Sequence, residues 1–249
     1  MLTDTKPLRP WRIFSALLLL SALTACAVMD TNSMESAVPL PKNKIDVQAY
    51  TGTGIDLSSV AKPEYWDENA YEGASSDFIS AYKLAIGVGN DSEIGLKAWT
   101  AALSAGARGY YKKRFYHVGK RSFAIAPGLT LVISDDGTVD LDNLFEDRNH
   151  RAIGFEIPLI FTYEPNDNVY LSSAIRANHH LYWESVLNDD NEVISIGPTN
   201  ITHYSFHQNA TLHNKYIFIT PEVGLIMITN VRGRFIFVPS MAFGLGIRL

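Results

Sequence analysis

The 249-residue chain is 47% hydrophobic, 19% charged and 11% aromatic, with 17 Gly, 11 Pro and a single Cys. That much apolar surface excludes a wholly disordered chain, a formal charge of −5 argues against a nucleic-acid footprint, and one Cys excludes an internal disulfide. The length suits one domain with a tail.

In chain order, Lys6, Arg9 and Arg12 precede a short apolar run from Ile13 to Leu23. This is the pattern of a secretory signal peptide and is too short for a stable span. It ends in Leu23-Thr24-Ala25-Cys26, which resembles the lipobox of bacterial lipoproteins. The resemblance implies that residues 1–25 are a signal peptide removed before Cys26. It also implies that the Cys26 thiol and new amino group carry acyl chains such as palmitate. Ala27 in place of Asp implies, by the enterobacterial sorting rule, export to the outer membrane of a Gram-negative envelope. Several acyl chains on one residue would hold the protein there, each buried CH₂ contributing about 0.8 kcal/mol.

Residues 26–76 read as the lipidated Cys and a tether. They show little periodicity, carry Pro39, Pro41 and Pro63, and include the turn-like Thr51-Gly52-Thr53-Gly54. Ile45 to Tyr50 is a candidate short strand, and Trp66 and Tyr71 are candidates to dock on the main domain.

From Asp77 onward the texture changes to short segments of period two, separated by Gly, Asp and Asn clusters. In Arg234 to Leu249 the bulky residues Phe235, Phe237, Met241, Phe243, Leu245, Ile247 and Leu249 share one parity. Arg234, Ile236, Val238, Ser240, Ala242, Gly244, Gly246 and Arg248 share the other, most of them small or charged. Successive strand residues point to opposite faces, so these are two environments. Phe123 to Ile133, Ile153 to Tyr163, Phe78 to Val88 and, less cleanly, Tyr216 to Thr229 repeat the pattern.

A soluble barrel would turn the bulky face inward and show water a face rich in charge. Here the other face is mostly Gly, Ala and Ser. That suits a membrane barrel, in which the bulky face meets lipid and small residues relieve a crowded lumen. By parity Lys83, Arg108, Glu156, Arg176, Glu222 and Arg248 form a lumen charge cluster. Segments of 11 to 16 residues are long enough to cross the hydrocarbon tilted. Tyr110, Tyr111, Phe115, Tyr116, Tyr163, Tyr170, Tyr182 and Trp183 near segment ends are candidates for interfacial girdles.

Residues 77–249 therefore resemble the small outer-membrane β-barrel proteins, a resemblance of pattern with no single diagnostic motif. It implies an all-β, antiparallel, up-and-down transmembrane-type barrel. Such barrels usually end in Phe or Tyr, whereas this chain ends in Arg248-Leu249. Eight strands are clear, at 77–89, 93–98, 102–112, 121–133, 152–163, 168–182, 215–229 and 234–249. Eight is awkward, because 134–151 and 183–214 then lie on the side that normally has short turns. Thr138 to Leu141 (after the Asp136-Gly137 turn signal), Glu192 to Ile196 and Ile201 to Phe206 are further candidates, giving about 8–12 strands.

His179, His180, His203, His207 and His213 draw attention, but without a helix the spacing of His203 and His207 does not suit a metal, and a polar loop is the plainer reading. Ser205 and His207 would share a strand face, with Glu184 or Asp189 to orient the His, as an acyl hydrolase would require. No flanking motif of such enzymes accompanies them, and no catalytic residue is assigned. Gly87-Val88-Gly89 lacks the rest of a phosphate loop, so no cofactor is expected. Lys112-Lys113-Arg114 is a candidate contact for lipopolysaccharide phosphates.

The leading expectation is a non-enzymatic, lipid-anchored outer-membrane barrel with outer-membrane lipids as its partner. Its role would be structural, surface interaction or passage of small solutes. The alternatives are a lipid-anchored soluble barrel holding an apolar ligand, and an acyl hydrolase acting on lipid.

Overall fold

A computed structural model describes residues 27–61, 76–101, 104–134, 150–187, 193–229 and 235–249. The lipobox at Cys26 and the candidate strand at 138–141 lie outside these residues.

The chain forms β1 (Val28–Asp30), β2 (Ile45–Asp56), α1 (Leu57–Ala61), β3 (Ser76–Gly89), β4 (Ser92–Ala101), β5 (Ser104–Val118), β6 (Arg121–Ile125), β7 (Gly128–Ser134), β8 (His150–Asn166), β9 (Val169–Leu187), β10 (Val193–His213), β11 (Ile217–Thr229) and β12 (Phe235–Arg248). All pairings are antiparallel between chain neighbours, and β12 closes onto β2 from Ala242↔Gly52 to Arg248↔Asp46. β6 and β7 together form one wall strand between β5 and β8, interrupted at Ala126-Pro127. Proline offers no amide to a ladder, which explains the break. The described wall is thus a closed ten-strand barrel, with no free sheet edge.

Two of the ten strands were not clear in the sequence. β2 lies inside the stretch read as a tether, where it extends the candidate strand Ile45 to Tyr50 as far as Asp56, so the described wall begins at Ile45. β10 is one continuous strand through both weak candidates, with its register shifted around Gly197-Pro198. With these two added, the awkward side assignment resolves. Links 90–91, 119–120, 167–168 and 214–216 share one end with Leu249, while the strands that end at Asp56, Ala101, Ser134, Leu187 and Thr229 finish at the other.

The bulky parity faces outward. Phe237 and Met241 are 60% and 59% exposed, against 4% for Ser240 between them and 6% for Val238. The same holds for Phe78, Tyr82 and Leu84 on β3, Leu129 and Leu131 on β7, Ile153 to Leu159 on β8 and Val223 and Leu225 on β11. A continuous outward apolar surface of this kind is suited to lipid and not to water. Among the girdle candidates, Tyr111, Phe115, Tyr116 and Tyr163 are exposed, but Tyr110 and Tyr182 point inward. Each has the inward parity of its strand, and its hydroxyl meets an inner partner: Glu93 Oε1 at 3.0 Å for Tyr110, His150 Nδ1 at 2.7 Å for Tyr182.

Candidate functional site

Eight strands enclose a space that side chains alone fill; ten enclose more. The extra space is taken by residues 27–40, almost all buried. This plug begins as β1, paired to β2 from Val28↔Asp56 to Asp30↔Gly54. It then leaves the sheet and continues through the lumen. Where it passes the wall, the wall is cut back to glycine: a Cβ at Gly52 would sit 2.6 Å from Asn32 Nδ2, and one at Gly87 would strike the carbonyls of Leu40 and Pro41.

A buried strand outside a sheet must find partners for its amides and carbonyls. Here wall side chains supply them. Ser104 Oγ accepts from Val28 N at 3.2 Å, and Trp99 Nε1 donates to Val28 O at 2.9 Å. Arg176 donates to Thr31 O at 2.6 Å. Lys97 Nζ donates to the carbonyls of Asn32 and Ser33 at 3.1 and 2.6 Å. Both oxygens of Glu222 accept, from Ser33 N and Met34 N, each at 2.6 Å. Lys83 Nζ reaches Met34 O at 3.0 Å, and Asn209 Nδ2 reaches Glu35 O at 3.0 Å. Thr162 Oγ1 accepts from Ala37 N at 2.7 Å, and Glu93 accepts from Leu40 N at 3.1 Å. Most of these bonds involve a charged group, the stronger class of hydrogen bond.

Charge is matched as well. In the middle and lower lumen, Lys83, Lys97, Arg108, Lys112 and Arg176 face the wall carboxylates Glu93, Glu156 and Glu222. The plug brings two more carboxylates, Glu35 among these cations and Asp30, which is held by Asn32 and the Tyr50 hydroxyl. Arg108 bridges Glu35 and Glu156 at 2.8 Å each, and Arg176 holds the other oxygen of Glu156 at 2.6 Å. Lys97 lies 3.7 Å from Glu35. Unpaired, any of these charges would be strongly unfavourable here.

Of the six lumen residues expected from parity, Arg108, Glu156 and Arg176 form one network, and Lys83 and Glu222 hold the plug backbone. Arg248 stands apart at the rim, paired twice with Asp46 at 2.8 Å. Sequence reading missed Lys97 and Glu93, which share an inward parity on β4, and took Lys112 for a lipopolysaccharide contact, whereas it has the inward parity of Arg108 and is buried 2.9 Å from Glu93. It also missed Asp30 and Glu35, which no periodicity marks.

The histidines are on strands, not in a polar loop. His179 is outward, while His180, His203 and His207 face the lumen. The His180 and His203 rings stack at 5.5 Å, and His207 Nδ1 lies 3.3 Å from Glu222. Among the described residues no cluster of three His, Cys, Asp or Glu could hold a metal. Ser205 and His207 do share the inner face, but Ser205 Oγ has no hydrogen-bond partner among the described residues, and His207 is turned to Glu222. The candidate orienting residue Asp189 lies outside the described residues.

No family model and no curated protein matches the chain. Among solved structures, the chain is similar to the N-terminal β-barrel domain of Pseudomonas aeruginosa OprF, at 8% identity and TM-score 0.35 over 84% of this chain and 100% of that one. It is similar to Ail, the attachment invasion locus protein of Yersinia pestis, at 10% identity and TM-score 0.37 over 84% and 99%. It is similar to the Escherichia coli outer membrane protease OmpT at 10% identity and TM-score 0.40 over 87% and 98%. At these scores the likeness extends no further than a β-barrel. The fold stands on the strand closure and the outward apolar wall described above.

Proposed function

We propose that this protein is a sealed integral β-barrel of the outer membrane, anchored further by acyl chains on Cys26, with a structural or surface-interaction role rather than open passage of solutes. One observation carries the sealed state: the lumen is occupied by residues 27–40, whose backbone is held by side chains from β3, β4, β5, β8, β9, β10 and β11. The outward apolar wall supports the membrane setting, and closure into a barrel is one of the two ways a chain can cross a bilayer with its backbone satisfied. Lipid anchoring is supported by Leu23-Thr24-Ala25-Cys26.

The test is electrical. Intact protein reconstituted into planar bilayers is expected to give no ion current above leak, while incorporation is verified by heat-modifiable gel mobility. A steady open current from intact protein would overturn the sealed reading.

A further inference from the structure

The plug has a direction. At its start, Ala27 O accepts from Leu57 N at 2.9 Å, level with the end of β2. Further on, Thr31 Oγ1 and Asn32 Nδ2 donate to Thr53 O. The plug then passes Glu222 in the middle of β11 and Thr162 near the far end of β8. It reaches Glu93 beside the 90–91 turn. It leaves the lumen with Asn43 N bonded to Gly87 O and Ile45 N bonded to Leu249 O. Residues 27–40 therefore run the full height of the barrel, from the end with the long links to the end with the short turns and Leu249.

The length is consistent with a full crossing. A 12-residue strand such as β2 tilted by about 40° rises about 30 Å. Fourteen residues can span at most about 46–50 Å extended.

We infer that the mature amino terminus is threaded outward through its own barrel, emerging on the cell-surface side, so that an acylated Cys26 is presented to the outer leaflet while Leu249 stays on the periplasmic side. This rests on the outer-membrane reading above, with the short turns periplasmic and the long links extracellular. Ala27 and Val28 are fully buried inside the barrel, so the chain can reach lipid only beyond Ala27. β1 lies against the wall strand β2, so the chain enters at the rim and not in the centre of the mouth. The partner so identified is a lipid surface, reached from the face opposite the carboxyl terminus.

The experiment uses three full-length variants, each carrying one epitope tag: between Cys26 and Ala27, within the 135–149 link, or after Leu249. Antibody binding is measured on intact cells and again after the outer membrane is permeabilised. The first two tags are expected to be detected on intact cells and the third only after permeabilisation. If the link tag is exposed but the tag before Ala27 is hidden, the threading is refuted while the barrel reading survives. If the tag after Leu249 is exposed and the link tag hidden, the barrel orientation itself is wrong and the inference falls with it.

An untagged second variant covers the case where a tag prevents folding. A Cβ at Gly52 lies 2.9 Å from Asn32 Cγ and 2.8 Å from Ala242 Cβ, so the pair N32C/G52C, made with A242G to clear the second contact, is within disulfide reach. The bridge is expected to form on mild oxidation in the folded barrel. A folded barrel that forms no bridge would overturn the threading.

Discussion

Glu222 supplies two of the charge-assisted bonds that hold the plug backbone, and Glu222→Gln tests them with almost no change in shape. The carboxylate accepts from Ser33 N and Met34 N, each at 2.6 Å, and the residue is 3% exposed. Hydrogen bonds to a charged group contribute about 1.5–3 kcal/mol each. The amide keeps one of them as a neutral bond of about 1 kcal/mol and turns its NH₂ toward the other backbone N–H, which is left buried and unpaired. The loss is about 3 kcal/mol, or about a hundredfold in the ratio of undocked to docked plug. The β11 ladder to β10 and β12 uses backbone groups and is untouched. Single-channel recording should therefore show open events about a hundred times more frequent than in the parent, with the heat-modifiable mobility of the barrel retained. A folded E222Q barrel as silent as the parent would refute the claim that this carboxylate holds the seal.

Three further outcomes are expected. Arg108→Met removes the 2.8 Å pairs to Glu35 and Glu156, leaving Glu156 to Arg176 alone and Glu35 only Lys97 at 3.7 Å, and should cost about 3–5 kcal/mol, read as a lower temperature for the gel-mobility transition; an unchanged transition would contradict the ion network. Leu131→Arg places a charge on the outward face, where Leu131 is 49% exposed. It should cost about 2–4 kcal/mol if Leu131 lies near the bilayer midplane, measured by urea titration in vesicles, and no shift would contradict lipid contact there. Cys26→Ser should abolish incorporation of labelled palmitate, and retained label would refute acylation at that residue.

The outward wall was legible because lipid imposes one requirement on every second residue, so Phe235 to Leu249 or Ile153 to Tyr163 carry the pattern unaided. β2 was legible only as the short candidate Ile45 to Tyr50, because beyond Val47 its outward residues Ala49, Thr51 and Thr53 are small or polar and the contrast between faces is lost. In β10 the inward side is Ser and His rather than Gly and Ala, which reads as a polar loop. The plug was illegible for a different reason. Its partners are side chains from seven wall strands, met at irregular intervals, so no period survives in residues 27–40. The glycine-rich inner face was visible in the sequence, and the plug is what Gly52 and Gly87 make room for.

The account depends most on which face of the strands meets lipid. A nitroxide scan along β12, one Cys at a time from 235 to 247 in a background with Cys26 replaced by Ser, reads that face directly as accessibility to dissolved oxygen. The expected profile alternates with period two, high at 235, 237, 241, 243, 245 and 247 and low at 238, 240, 242 and 244. The opposite phase, or a flat profile, would contradict the lipid-facing wall and the sealed lumen together.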